Sequence, residues 1–211
     1  GPLTSHRPHR LLTMVVQASH VEAPIPDGDA LMAAQMESRS SQRWIAWRIA
    51  MWGAAAGLLL LPLLAMRFFP AAGVNWTGSD FVVMGALLAA CCGTVELGAR
   101  LSGNPWYRAG FAVAVLAGFL LIWVSLAVGI IDEPYDRANL MFVGVLATAI
   151  IGALFERFRP EGMARTLVAT AVAQLLVGAI ALLGRMGYEA IAFGAFLAGL
   201  WLLSAWLFRN A

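Results

Sequence analysis

Three charged residues lie where charge is costly. Arg48, Glu96 and Arg100 each stand at or near the end of a long apolar run. On insertion scales an unpaired charge at the centre of a hydrocarbon layer costs ~2.5–3.5 kcal/mol, and less near the edge, where a long side chain can reach water. Glu96 and Arg100 have helical i, i+4 spacing, so the plainest reading is a local ion pair with Arg48 snorkelling separately. The sharper readings are an Arg48–Glu96 bridge between two helices, or Glu96 as a group that carries a proton.

Two further polar residues are deeper. Thr148 and Gln174 fall near the middle of their apolar runs. Each could hydrogen-bond to a neighbouring helix, a contact of about 0.6 kcal/mol on average. The alternative is contact with a substrate. The run Gly53-Ala-Ala-Ala-Gly57 offers a smooth face on which a second backbone could pack, within the chain or in a homodimer. Asp132, Glu133 and Asp136 bring three carboxylates into one short segment, and hard cations favour such oxygens. The spacing is not that of a calcium-binding EF-hand loop, so a solvated acidic turn is the simpler reading.

Other chemistries lack their parts. The two cysteines, Cys91 and Cys92, are adjacent, and neighbours on a helix point about 100° apart. They read as small packing residues. All three histidines lie before residue 21, so no span carries an imidazole for haem or metal. Paired carboxylates at catalytic spacing are also missing, so no enzyme, cofactor or metal site is expected. Asn75-Trp76-Thr77 matches a glycosylation sequon, a pattern common by chance.

The elements that must position these residues are apolar helices. Hydrophobic residues make up 61% of the chain, and the mean hydropathy is +0.77. Both values are too high for a soluble domain with a solvated surface. Six spans are predicted: Ile45–Met66, Phe81–Ala99, Ala109–Ile131, Leu140–Phe158, Ala164–Leu183 and Ala190–Phe208. Each is close to the ~20 residues that cross a ~30 Å core. The fold expected is an all-α, polytopic membrane bundle of six transmembrane helices. Residues 44–211 form that domain, and residues 1–43 a flexible polar tail.

Within the tail, Gly1-Pro2 resembles the scar of a protease cut, which would make residues 1–13 an addition ahead of a native start at Met14. A Pro-, Gly- and acid-rich stretch around residues 20–29 reads as irregular. Asp29 is placed to cap a short helix from Ala30 to about Arg39. No apolar run lies near residue 1, so the first span is expected to act as its own insertion signal.

Arginine sets the orientation. The chain has no lysine, and its net charge is +2, which gives no footprint for nucleic acid. Arg39, Arg43, Arg48, Arg100, Arg108, Arg157, Arg159, Arg165 and Arg209 lie at one end of the spans, against Arg67, Arg137 and Arg185 at the other. The positive-inside rule then puts both termini in the cytoplasm. Trp44, Trp47, Trp106 and Trp206 fall at the arginine-rich interface and Trp76 at the opposite one, as aromatic belts require. Pro62 is expected to kink the first span near its outer end.

Residues 81–100 and 140–159 align without gaps, pairing Gly85 with Gly144, Leu87 with Leu146, Ala90 with Ala149, Gly93 with Gly152 and Arg100 with Arg159. The match is either a duplication, with two parallel hairpins, or a coincidence among Gly, Ala and Leu.

Val74-Asn75-Trp76-Thr77 with Asp80-Phe81, then Leu126-Ala-Val-Gly-Ile-Ile131 and Ala138-Asn-Leu-Met141, resemble a family of uncharacterised bacterial multi-pass inner-membrane proteins. The resemblance covers roughly residues 74–165. It implies an inner-membrane helical fold and carries no activity. That family has Gly-Ser-Glu-Asp-Asn-Pro where this chain has Asp132 to Arg137, so a role for the loop does not transfer.

The function expected is that of a non-enzymatic membrane protein with a structural or interaction role. The lipid bilayer, a second copy of the chain or another membrane protein are the partner classes. The alternative is a small-molecule or ion transporter or channel, which would need a polar path across the midplane.

Overall fold

The computed structural model describes residues 27–127, 140–183 and 188–211. Six α-helices follow one another: α1 (Gly28–Phe68), α2 (Gly78–Leu101), α3 (Pro105–Ala127), α4 (Leu140–Phe155), α5 (Pro160–Leu183) and α6 (Tyr188–Arg209). A single 3-10 turn, Pro70–Ala72, lies between α1 and α2. Among the described residues there is no strand. Five of the helices are long and apolar enough to cross a membrane. Helix α4 has 16 residues, which at 1.5 Å each makes about 24 Å. The chain is an all-α polytopic helical bundle, an integral membrane protein.

Its contacts divide it into two units, residues 1–50 and 51–211. In the first, the described residues are the start of α1. The short helix expected over Ala30–Arg39 is the opening of a 41-residue helix. Asp29 falls in its first turn, where a negative charge suits the exposed N–H groups. Trp44 and Trp47 stack at 5.4 Å. Helix α1 continues through Pro62 to Phe68.

In the second unit the principal packing partners are α2 with α3, α3 with α6, α6 with α5, and α5 with α4. Helix α6 therefore sits between two hairpins, α2–α3 and α4–α5. Its inward face carries Leu197, Ala198, Trp201, Ala205 and Phe208, all buried. The buried face of α3 carries Tyr107, Phe111, Ala117 and Leu121, and that of α5 Met163, Ala164, Leu167 and Ala171. Gly110 allows the Phe208 ring to approach, its virtual Cβ only 3.1 Å from that ring. Ser204 fixes the same crossing by donating to the Gly110 carbonyl at 2.6 Å.

The helix ends follow local chemistry. Asp80 accepts the Thr77 N–H at 2.7 Å, which completes a capping box at the start of α2. Helix α4 stops at Phe155, short of the expected Phe158. Arg157 and Phe158 adopt positive φ, 52° and 59°. The Phe158 N–H bonds back to the Ala153 carbonyl at 3.1 Å, closing the helix. The usual glycine signal for such a stop is absent, so the sequence runs on as if helical.

Candidate functional site

The second unit contains an apolar cleft of about 430 Å3. Its walls are α2 and α4, the helices that end the packing order, and its floor comes from α3, α5 and α6. One wall presents Leu87, Ala90, Cys91 and Thr94, the other Leu146, Ala149, Ile150 and Ala153. These are partners in the ungapped alignment, position for position. The internal similarity thus has a spatial counterpart: the same register of each segment faces the cleft. Small side chains at Ala90, Ala149 and Ala153 keep it open. Thr94 spends its hydroxyl on the Ala90 carbonyl at 2.7 Å, so the wall stays effectively apolar.

Trp201 contributes the inner lining, and only 1% of its surface is exposed. At the arginine-rich end Phe158 and Met163 close the cleft. Phe158 is pinned there. Tyr107 donates its hydroxyl to the Phe158 carbonyl at 2.9 Å, and the Phe111 ring lies 6.3 Å from the Phe158 ring. Two non-glycine residues in the left-handed region cost roughly 1–2 kcal/mol each, so this turn is held by its surroundings.

The residues singled out in the sequence are scattered. Glu96 is buried: it accepts Trp52 Nε1–H at 2.8 Å and pairs with Arg100 at 3.5 Å. The expected i, i+4 pair is therefore formed, and Trp52 of α1 supplies a second partner that the sequence reading missed. Arg48 belongs to the first unit. Cys91 and Cys92 are free thiols in apolar surroundings. Gly53 and Gly57 have no atom within 4 Å of where a Cβ would stand. That face is therefore not packed against the described chain. Asp132, Glu133 and Asp136 lie outside the described residues, as do residues 128–131 and 138–139 of the resembling motifs.

Thr148 and Gln174 do not bond to each other. Thr148 turns back to the Gly144 carbonyl at 2.8 Å. Gln174 is fully buried, and neither amide atom has a hydrogen-bond partner among the described residues. Its Nε2 faces Gly194 of α6, 3.7 Å from the virtual Cβ there. Depth along a helix was readable from residue counts, but the direction around the axis was not. Other buried polar groups went unnoticed: Thr166 and Thr170 on α5, Ser204 on α6, and the unpartnered Trp201 Nε1. Thr166, Thr170 and Gln174 follow at i, i+4 and i+8, a spacing that could have revealed one polar stripe on α5.

Among the described residues no group of three His, Cys, Asp or Glu is placed to hold a metal ion. No family model, curated protein or solved structure matches this chain.

Proposed function

We propose that this chain is a non-enzymatic membrane protein of the bacterial inner membrane, with both termini in the cytoplasm and an interaction role within the bilayer. The observation that carries the reading is how polar groups in the spans are spent. Ser125, Thr148 and Thr170 each return their hydroxyl to a carbonyl one turn back, at 2.7, 2.8 and 2.9 Å. Ser204 ties α6 to α3, and Glu96 is held by Trp52 and Arg100. The hydroxyls are thus satisfied within their own helices, Ser204 and Glu96 join neighbouring helices, and the cleft between α2 and α4 offers an apolar surface to a guest. Such a site recognises hydrocarbon by shape and burial rather than an ion by charge. The imbalance of arginines supports the orientation.

A second reading, a transporter or channel, draws on Gln174 and Trp201. Their unpartnered polar atoms are buried, which costs roughly 1–3 kcal/mol per group unless a guest satisfies them. Purified protein in proteoliposomes distinguishes the two. The interaction reading expects ion and solute flux at the level of empty liposomes. Flux abolished by Gln174→Leu in a folded protein would establish transport instead.

A further inference from the structure

We infer that the cleft between α2 and α4 is a binding site for an anionic phospholipid, with one acyl chain between the walls and the phosphate at the arginine-rich mouth. This names the partner for the interaction role proposed above and rests on that reading.

The argument begins with the surroundings. A recess of about 430 Å3 in a membrane-spanning bundle, lined by Leu87, Ile150, Phe119 and Trp201, cannot be filled favourably by water. The hydrocarbon already present in the bilayer is its natural occupant. Burying each CH2 against protein rather than leaving a void recovers dispersion contacts that the lining would otherwise lose.

The charge at the mouth chooses the headgroup. The turn that closes the cleft carries two arginines, Arg157 and Arg159, on either side of Phe158, which lines it. Both are exposed. Arg100 of α2 is engaged instead with Glu96 at 3.5 Å, and the Glu156 carboxylate is engaged by Arg165 at 3.4 Å. Arg157 and Arg159 have no ion-pair partner among the described residues. Guanidinium forks suit phosphate oxygens, and the left-handed turn that carries Arg157 is fastened by Tyr107. Cationic groups above an apolar slot match the two ends of an anionic lipid.

The test uses the full chain in nanodiscs of mixed phosphatidylglycerol and phosphatidylcholine, with a photoreactive group midway along one acyl chain. Adducts from the phosphatidylglycerol probe are expected to concentrate on Cys91, Phe119 and Ile150. Adducts spread evenly over outward residues such as Val82, Leu175 and Leu203 would overturn the site. Equal labelling by the phosphatidylcholine probe would overturn the choice of headgroup. Replacing Arg157→Gln and Arg159→Gln is expected to weaken phosphatidylglycerol retention, read by native mass spectrometry, about fivefold per arginine. Arg209→Gln, at the same end but away from the cleft, should leave it unchanged. Inorganic phosphate should not displace the lipid; displacement would mean a free-anion site. Ala149→Trp, which plugs the slot, should abolish cleft labelling. If that variant fails to fold, labelling of the unaltered chain still decides. A retained second copy of the chain, with an unlabelled cleft, would mean a protein interface instead. Flux with normal cleft labelling removes the interaction reading and keeps the lipid site. Scattered labelling without flux does the reverse.

Discussion

Glu96 shows how a buried carboxylate becomes tolerable near the edge of a bilayer. Its contacts with Trp52 and Arg100 are unequal. Arg100 is 66% exposed on its side chain, so solvent screens that pair and leaves it a small contribution. The indole of Trp52, at 2.8 Å, gives a bond to a charged acceptor, a class that contributes about 1.5–3 kcal/mol. Trp52→Phe is therefore expected to lower stability by about 1–2 kcal/mol, measured by thermal melting in detergent. Glu96→Gln should destabilise more than Glu161→Gln, because Glu161 is exposed at the start of α5. Equal melting temperatures for those two variants would mean that the Glu96 contacts contribute nothing. Gln174 poses the opposite case. Among the described residues it has no bond to lose, so Gln174→Met should hold stability constant or raise it by roughly 1 kcal/mol. A clear loss would reveal a partner for the amide in the bilayer. The sequence placed Glu96–Arg100 correctly because both lie on one helix with fixed spacing. Trp52 was not legible as a partner of Glu96, since nothing local says which helix its N–H will meet.

At the scale of elements, two glycines at equivalent register behave differently. Gly152 of α4 packs against Thr166 of α5 so closely that an added Cβ would overlap its side chain. Gly93, its counterpart on α2, has nothing within 4 Å. Gly152→Ala should cost about 1–3 kcal/mol through overpacking, and Thr166→Ala in the same chain should recover part of it. Gly93→Ala should be neutral or slightly stabilising, because alanine favours the helix. Chemical denaturation of the three variants checks the contrast; an equal cost at both glycines would contradict the packing described. The existence of the helices was legible because apolar runs of bilayer length have few alternatives. Their ends were less so. Helix α1 begins at Gly28, since a polar helical stretch joins the apolar one without a breaker. Helix α4 stops early on Arg157 and Phe158, whose left-handed backbone is imposed by Tyr107 and Phe111 from α3. A constraint from another helix leaves no mark in the local sequence.

For the whole molecule, the internal alignment and the packing order describe the same arrangement from different sides. Two hairpins flank α6, and their first helices present matching positions to one cleft. Their second helices do not match in the same way, because α3 and α5 meet different parts of α6: Gly110 receives Phe208 and Ser204, while Gln174 faces Gly194. Parallel hairpins require α2 and α4 to cross in the same direction, which ties the repeat to topology. The loop before α2 and the loop after it must then lie on opposite sides of the membrane. Cysteines placed at Asn75 and at Gly103, in a chain with Cys91 and Cys92 replaced by alanine, test this with a membrane-impermeant thiol reagent. Asn75→Cys should react from outside intact cells, and Gly103→Cys only after the membrane is opened. Both arise from exposed positions, so poor reactivity would not come from burial. The positive-inside rule gives the direction, since Arg100 and Arg108 flank Gly103 while Arg67 alone stands near Asn75. Reaction of Gly103→Cys in intact cells would invert the bundle. It would also place Arg100, Arg157 and Arg159 against the outer leaflet, away from the anionic cytoplasmic surface that the lipid site is expected to use.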